Sequence, residues 1–129
     1  IYSVSNLKKD IEADLGIIAD SAMLETVIVN LVENALKYAG ENAEILVSAK
    51  KVQDKVIFSV ADNGLGVQKS IQKDVFEKFM RSGNEETRTK KGTGLGLYIS
   101  REFVHLNRGT ITYRDNQPKG AIFEVSLQQ

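Results

Sequence analysis

The sequence predicts an α+β fold, because two pairs of strand patterns and two helix patterns occupy separate stretches of its 129 residues. Val, Ile and Phe dominate residues 45–52 and 55–61, and the short turn Gln53-Asp54 between them is typical of an antiparallel hairpin. A second pair of strand patterns, at 110–114 and 121–127, flanks a turn that contains the only proline of the chain. The two pairs together predict a β-sheet.

The remaining elements follow in chain order. Residues 2–15 have a strand-like or mixed pattern. Asp20 or Ser21 can cap a first helix that continues to about Tyr38, and Gly40 stands just past its end. A second helix is predicted over residues 95–106, where apolar side chains recur at helical spacing, namely Leu95, Ile99, Phe103 and Leu106.

The first helix carries a polar stripe at positions i, i+3, i+4 and i+7, which share one helix face; the stripe consists of Asn30, Glu33, Asn34 and Lys37. The apolar residues gather on a separate face, centred roughly 130° away at about 100° per residue; they are Leu24, Val27, Ile28, Leu31 and Ala35. Taken alone, the stripe fits either a ligand-binding face or an ordinary solvated one.

Composition limits the classes of function. Lys plus Arg equals Asp plus Glu, 17 of each, which argues against a nucleic-acid partner bound through a broad basic surface. The absence of Cys excludes disulfides and thiolate metal sites and fits a reducing compartment. No signal peptide or apolar run of about 18 residues is present, so we expect no membrane contact by this domain. We interpret residues 1–129 as one domain cut from a longer protein, since the chain begins without Met.

A first glycine cluster, Asp62-Asn63-Gly64-Leu65-Gly66, directly follows a predicted strand. Two spaced glycines let the backbone turn sharply and approach a planar ligand. The Asp62 carboxylate only accepts hydrogen bonds, so it can bind the amino group of adenine, whereas guanine would present a carbonyl oxygen there. This pattern predicts preference for ATP over GTP, although Asp-Asn-Gly is also a common turn sequence.

A second glycine cluster, residues 92–97, opens the second predicted helix and reads Gly-Thr-Gly-Leu-Gly-Leu. Backbone amides at a helix N-terminus bind anions, and glycine leaves them accessible. The cluster lacks the spacing and Lys of a Walker A loop, and a flexible linker or helix cap would have a similar sequence.

Between the two clusters, residues 82–91 form a polar run without large apolar residues. Such a run cannot bury itself, so we expect a mobile loop that acts as a lid over a polyphosphate. Phe76 and Phe79, which precede the run, are expected to anchor the base of the lid in the core.

These four blocks, in this order, resemble the ATP-binding catalytic domain of sensor histidine kinases, in the superfamily shared with gyrase, heat-shock chaperone 90 and mismatch-repair ATPases. The N box is similar at 30–38, the G1 box at 62–66, the F box at 76–79 and the G2 box at 92–97. The resemblance covers about residues 10–127. It implies the Bergerat fold, an α+β two-layer sandwich in which helices pack on one face of a mixed sheet of about five strands, with a mobile ATP lid.

The resemblance also implies roles for individual residues. Asn34 would bind Mg²⁺ that bridges the ATP phosphates, Asn30 would support the metal or its waters, and Glu33 would have a minor orienting role. Asp62, Gly64 and Gly66 would contact adenine, and Arg81 would approach the γ-phosphate. The other expected contacts with phosphate or ribose are Lys37, Tyr38, Gly92, Thr93, Gly94, Leu95 and Gly96.

Asn30 favours a kinase over a hydrolase. The ATPase branches of the superfamily have Glu at this position to activate water, and an amide cannot act as a general base. His105 is the only histidine and lies away from the predicted apolar face, so we expect the phosphoacceptor on a separate dimerisation domain of the same kinase. A response regulator would act downstream. We expect the isolated domain to be a cytoplasmic monomer, whether or not its parent protein is membrane-anchored.

Three alternatives stay open at this point. An anti-sigma-type protein serine kinase shares the N and G boxes, although the F box and Lys37-Tyr38 argue against it. A non-catalytic module could bind nucleotide and act through protein contacts. An ATP-driven dimeric clamp is disfavoured by Asn30 and by the short chain.

Overall fold

The computed structural model describes residues 7–13, 15–40, 44–77 and 95–128. Within these ranges the chain forms five strands, two α-helices and one short 3-10 helix. The order of elements is β1 (Leu7–Ile11), α1 (Ser21–Ala39), β2 (Ile45–Val52), β3 (Lys55–Asp62), the 3-10 helix (Lys69–Asp74), α2 (Gly96–Leu106), β4 (Thr110–Asp115) and β5 (Ala121–Gln128).

The strands form one mixed sheet in the order β1-β2-β3-β5-β4. β1 pairs parallel to β2, with Leu7 opposite Ile45, and the other neighbours pair antiparallel. Both α-helices pack against the sheet and against each other. The predicted α+β fold, with a mixed five-stranded sheet and helices on one face, is therefore confirmed. The predicted strand-like start at 2–15 contains a strand only at β1, among the residues that the structure describes.

The ends of α1 follow from capping. The side chain of Asp20 accepts a hydrogen bond from Met23 N at 2.9 Å, which satisfies a backbone donor in the first turn. The helix ends at Ala39, and Gly40 follows it with a φ of 89°, which is unfavourable for other residues. The backbone N–H of Asp20 donates to Asn107 Oδ1 at 2.7 Å, so the start of α1 is attached to the end of α2.

The core lies between the helices and the sheet. Val27, Leu31 and Ala35 of α1 are buried against strand residues such as Val60 and Val125. These three α1 residues belong to the apolar face that the sequence predicts. The alignment of this face with the sheet leaves the polar stripe of α1 at the edge of the helical layer.

The predicted apolar face of α2 is partly wrong. Ser100 and Val104 are its buried residues, whereas Leu106 is 68% exposed. Leu106 follows Val104 by two positions, so it lies roughly 200° around the helix from the buried side. Among the described residues, no helix has the length and hydrophobicity that crossing a membrane requires.

Candidate functional site

Asp62 is a buried acidic residue at the end of β3, with 5% of its surface exposed. Its Oδ1 accepts hydrogen bonds from Gly64 N at 2.8 Å and from Ala121 N at 3.3 Å. Burial raises the pKa of this carboxyl above its ordinary value of 3.8, and the two backbone donors oppose the shift. The two backbone donors therefore fix the direction of the Asp62 carboxyl group. Its burial makes the charged form less favourable than in water.

The two glycines of the first cluster are required by packing. A Cβ on Gly64 would lie 2.7 Å from Tyr38 O and 2.8 Å from the Cα of Ala39, closer than side-chain atoms can approach. Gly66 has a φ of 76°, and a Cβ there would lie 2.9 Å from Gly120 O. The first glycine cluster is thus seated against the C-terminal end of α1.

The turn between β4 and β5 supports Asp62 through Asn116 and Gly120. The sequence analysis did not predict a role for these two residues. Asn116 Nδ2 donates to the backbone oxygen of Asp62 at 2.8 Å. Gly120 has a φ of 115°, and a Cβ added to it would overlap the same oxygen. The turn interacts with residues more than 50 positions away, for example in the Asn116–Asp62 bond. The sequence carries no periodicity or motif that signals such a contact.

The polar stripe of α1 reaches α2 through Asn30. Its Nδ2 donates to Gly96 O at 3.3 Å and to Ser100 Oγ at 3.4 Å. Ser100 is fully buried, so its hydroxyl needs a partner inside the protein. Asn30 therefore joins the stripe to the first turn of α2.

Asn34 follows one turn later and differs from Asn30. Its side chain is half-buried and makes no hydrogen bond to another described residue. Glu33 is exposed, and Lys37 and Tyr38 are half-buried at the end of the stripe. Among the described residues, none occupies the Asn34 amide.

The stripe offers few ligands for a metal. No group of three or more His, Asp or Glu residues is placed to hold one in the described part of the chain. A cation beside Asn34 would need most of its oxygens from a bound ligand and water. Mg²⁺ suits such a site, because it keeps several waters and is often bound through substrate phosphates.

Several predicted site residues lie outside the described residues, so their roles stay predictions; they are Phe79, Arg81, Gly92, Thr93 and Gly94. Leu95 and Gly96 are described, and Gly96 begins α2 as a helix N-terminus beside Asn30. Phe76 is half-buried against the core, with its ring centroid 5.9 Å from that of Phe123. His105 is exposed, away from these groups on the surface of α2.

Helix α1 therefore contacts both glycine clusters. Its end meets Gly64, and Asn30 meets Gly96. Asn30 and Tyr38 are separated by about 12 Å along the helix axis. The site has a hydrogen-bond acceptor at one end, Asp62, and a helix N-terminus suited to an anion at the other. An acceptor followed by an anion site is the order of groups that would suit an elongated ligand with a planar donor group and a charged tail.

Comparisons with known proteins agree with this geometry. Residues 19–129 match the family described as histidine kinase-, DNA gyrase B- and HSP90-like ATPase. The sensor protein CiaH of Streptococcus pneumoniae (serotype 4) is 37% identical over 111 residues, which cover 86% of this chain and 25% of CiaH. The sensor protein KdpD of Escherichia coli (strain K12) is 42% identical over 110 residues, covering 85% of this chain and 12% of KdpD. The chain thus spans a quarter or less of these curated relatives.

A solved structure shows the same fold. The catalytic domain of the histidine kinase ThkA, in a nucleotide-free form, has a TM-score of 0.82 and 29% identity. The match covers 95% of this chain and 79% of that domain. ThkA has also been solved in complex with the response regulator protein TrrA.

Proposed function

The chain belongs to the family of histidine kinase-, DNA gyrase B- and HSP90-like ATPases, and we propose that it binds Mg-ATP and supplies the catalytic half of a two-component sensor histidine kinase. The family resemblance predicted from the four motifs is confirmed. One observation carries the proposal: α1 contacts Gly64 through its end and Gly96 through Asn30. These contacts support a single site in which Asp62 accepts from the base and the N-terminus of α2 faces the phosphates.

At the base end, Asp62 accepts a hydrogen bond from the adenine amino group. Its Oδ1 is already held by two backbone donors, so its direction is set before the nucleotide binds. Guanine would place a carbonyl oxygen against this carboxylate, leaving two acceptors opposed. We propose that Gly64 and Gly66 line the base, because the absence of side chains lets this loop lie close to the end of α1 and to Gly120, beside Asp62.

At the phosphate end, Asn34 offers its amide oxygen to Mg²⁺, which neutralises phosphate charge when bound. Lys37 and Tyr38 follow Asn34 on the same helix, and we propose that they contact phosphate or ribose. Because Leu95 and Gly96 lie at the N-terminus of α2, we propose that their backbone N–H groups donate to the phosphates. The roles of Arg81, Gly92, Thr93 and Gly94 are part of the same proposal.

Transfer to histidine is favoured over hydrolysis. The amide of Asn30 cannot take a proton from water, and its Nδ2 is engaged by Gly96 and Ser100. Glu33, the only carboxylate on the stripe, is exposed and has at most a minor role. Catalysis then rests on positioning and charge neutralisation. We propose that the acceptor is a histidine on the dimerisation domain of the same kinase and that a response regulator receives the phosphoryl group. A complex between the histidine kinase ThkA and the response regulator protein TrrA supports a partner of this kind.

Calorimetric titration tests the nucleotide site. We expect the domain to bind ATP in the presence of Mg²⁺ and to bind GTP at least about fivefold more weakly, since an opposed pair of acceptors costs about 1–3 kcal/mol. Asn34→Ala should weaken ATP binding with Mg²⁺ but have little effect when EDTA removes the metal. Glu25→Ala, an exposed change on the same helix, is the control. Equal affinities of wild type and Asn34→Ala in Mg²⁺ would contradict the metal role.

Phosphate transfer tests the kinase activity. The domain is mixed with labelled ATP and the phosphoacceptor domain of its own parent protein, and label should appear on that domain only. Label on His105 of the isolated domain would contradict the proposal. Label on a serine of a partner would favour the serine-kinase alternative. Nucleotide binding without transfer to either acceptor would favour a non-catalytic module.

The same preparations show by light scattering whether the separate domain is monomeric, as we propose for this cytoplasmic part of the kinase.

A further inference from the structure

Tyr113 lies on β4, outside all four motifs, yet its hydroxyl contacts the residue that follows the first glycine cluster. Val67 N donates to the Tyr113 hydroxyl at 3.0 Å. The same hydroxyl donates to Asp115 Oδ1 at 2.8 Å. A Cβ on Gly66 would lie 3.4 Å from the hydroxyl oxygen, so Tyr113 also borders the last glycine of the cluster.

Gln72 of the 3-10 helix closes this arrangement into a ring. Its Nε2 donates to Val67 O at 2.8 Å and to Asp115 Oδ1 at 3.1 Å. Both backbone polar groups of Val67 are therefore held by side chains rather than by a strand or helix ladder. The exit of the first glycine cluster has its geometry set by Tyr113, Gln72 and Asp115.

The ring of Tyr113 is itself held in place. Its centroid lies 5.3 Å from that of Phe123 at an interplanar angle of 62°, an edge contact. Burial, followed by the effect of Asp115, raises the pKa of Tyr113 to about 12. The hydroxyl thus stays protonated at neutral pH and can accept from Val67 while it donates to Asp115.

The contacts link Tyr113 to Asp62 through the short cluster between them. Gly64 N is bonded to the Asp62 carboxylate, and Gly66 is enclosed by Gly120 and Tyr113. If the backbone of Val67 shifts, we expect the preceding glycines to shift with it, because glycine has the most adaptable backbone of this segment. The backbone that faces the base therefore depends on a hydroxyl outside the site.

We propose that Tyr113 is a positioning residue for the nucleotide base, which fixes the first glycine cluster through Val67 without touching the ligand. The effect on the nucleotide rests on the proposed function, whereas the role of Tyr113 in fixing Val67 does not. Tyr113→Phe removes the hydroxyl and keeps the ring against Phe123. Thr112→Val, the loss of an exposed hydroxyl on the same strand, is the matched control.

The first measurement is amide hydrogen exchange in the nucleotide-free domain. In Tyr113→Phe the exchange of the Val67 amide should accelerate about fivefold or more, as expected for the loss of one hydrogen bond, and Thr112→Val should not change it. Unchanged exchange at Val67 would overturn the proposal, whatever the domain binds.

The second measurement is nucleotide binding and phosphate transfer. Tyr113→Phe should raise the Kd for ADP and the KM for ATP about fivefold, while kcat at saturating ATP stays within about twofold, because the lost interaction acts on binding of the base. A merely structural role would lower Tm with no such split, and an unchanged Kd and KM would overturn the proposal.

A second variant, Gln72→Leu, tests whether the effect on binding passes through Val67. Gln72→Leu removes the bond to Val67 O, and it should also weaken ADP binding. Because both changes act through Val67, the double variant should lose less affinity than the product of the two single losses. If the affinity loss of the double variant equals the product of the two single losses, Tyr113 and Gln72 do not act through the same residue, and the proposed role of Val67 is wrong. If the wild-type domain does not bind ADP, the proposed function fails, and hydrogen exchange at Val67 still decides the role of Tyr113.

Discussion

The two ends of the site are built differently. At the base end, the Asp62 carboxylate and backbone oxygen receive three hydrogen bonds, from Gly64, Ala121 and Asn116, and Gly120 packs against them. At the phosphate end, the described contact between the stripe and α2 is that of Asn30, with bonds of 3.3 and 3.4 Å. Asn34 there has no side-chain partner among the described residues.

The difference teaches how such a site divides its tasks. Discrimination between bases requires an acceptor that cannot turn away, so Asp62 is buried and held by backbone donors. A triphosphate and its metal bring their own charge and ligands, so fewer protein groups need to be fixed in direction before they bind. We expect changes at the base end to have large effects on stability or binding, and changes at the phosphate end to have smaller effects on stability.

The largest effect is expected from Gly120→Ala. A Cβ there overlaps the Asp62 backbone oxygen, and the φ of 115° is strained for alanine. We expect a loss of unfolding free energy on the order of 3 kcal/mol, measured by urea denaturation. Gly16→Ala is the control, because a Cβ at Gly16 meets nothing within 4 Å. Equal stability of the two variants would show that the turn does not support Asp62 as the structure indicates.

Asp62→Asn separates binding from stability. It should lower the affinity for ADP by roughly tenfold to a hundredfold, since a hydrogen bond to a charged group is worth about 1.5–3 kcal/mol. The fold should survive, because the Asn oxygen can still accept from Gly64 and Ala121.

The difference in stability between Asp62→Asn and the wild type should depend on pH. Burial raises the pKa of Asp62 in the folded state above the ordinary 3.8 of the unfolded chain. The folded wild type thus holds this proton more tightly, and its stability falls as pH rises from 3.8 through the raised value. The Tm of Asp62→Asn, measured relative to wild type, should therefore increase from acid to neutral pH. A difference that shrinks with rising pH would contradict the assigned shift.

Asn30→Ala tests the link at the phosphate end. It removes the bonds to Gly96 O and Ser100 Oγ, so we expect a loss of about 1 kcal/mol in thermal or urea unfolding. Thr26→Ala, one turn earlier on α1, removes only a bond to Ala22 O and should change stability by less than about 0.5 kcal/mol. Equal losses would mean that the link to α2 contributes nothing.

The smallest effect is expected from Glu33→Gln. The side chain is exposed on the stripe, so affinity for ADP should change by no more than about twofold, within the usual range of surface substitutions. Transfer of phosphate to the acceptor domain should fall only severalfold. A loss of a hundredfold or more would give Glu33 a direct catalytic role and would make the phosphate end as demanding as the base end.

Local patterns predicted most of the secondary structure. The cap at Asp20, the end at Gly40 and the hairpin at Gln53-Asp54 depend on neighbours a few residues away, and the structure has all three. The face of α2 was predicted less well. Its sequence places Leu106 at helical spacing, but the packing of Ser100 and Val104 selects a different side.

The sequence by itself determined the α+β class, the order of the two α-helices and the two strand pairs, and the motifs that identify the family, because periodicity, capping and glycine spacing are local properties. It did not reveal the 3-10 helix at Lys69–Asp74. The tertiary structure decided which distant groups meet. It pairs β1 with β2 in parallel, places Gly120 and Asn116 against Asp62, and brings the Tyr113 hydroxyl to Val67. Those contacts join residues far apart in the sequence, 54 positions in the case of Asn116 and Asp62, and the pairing of the strands brings the partners together. No local pattern encodes them, because the chain between the partners can take many paths until the strands pair.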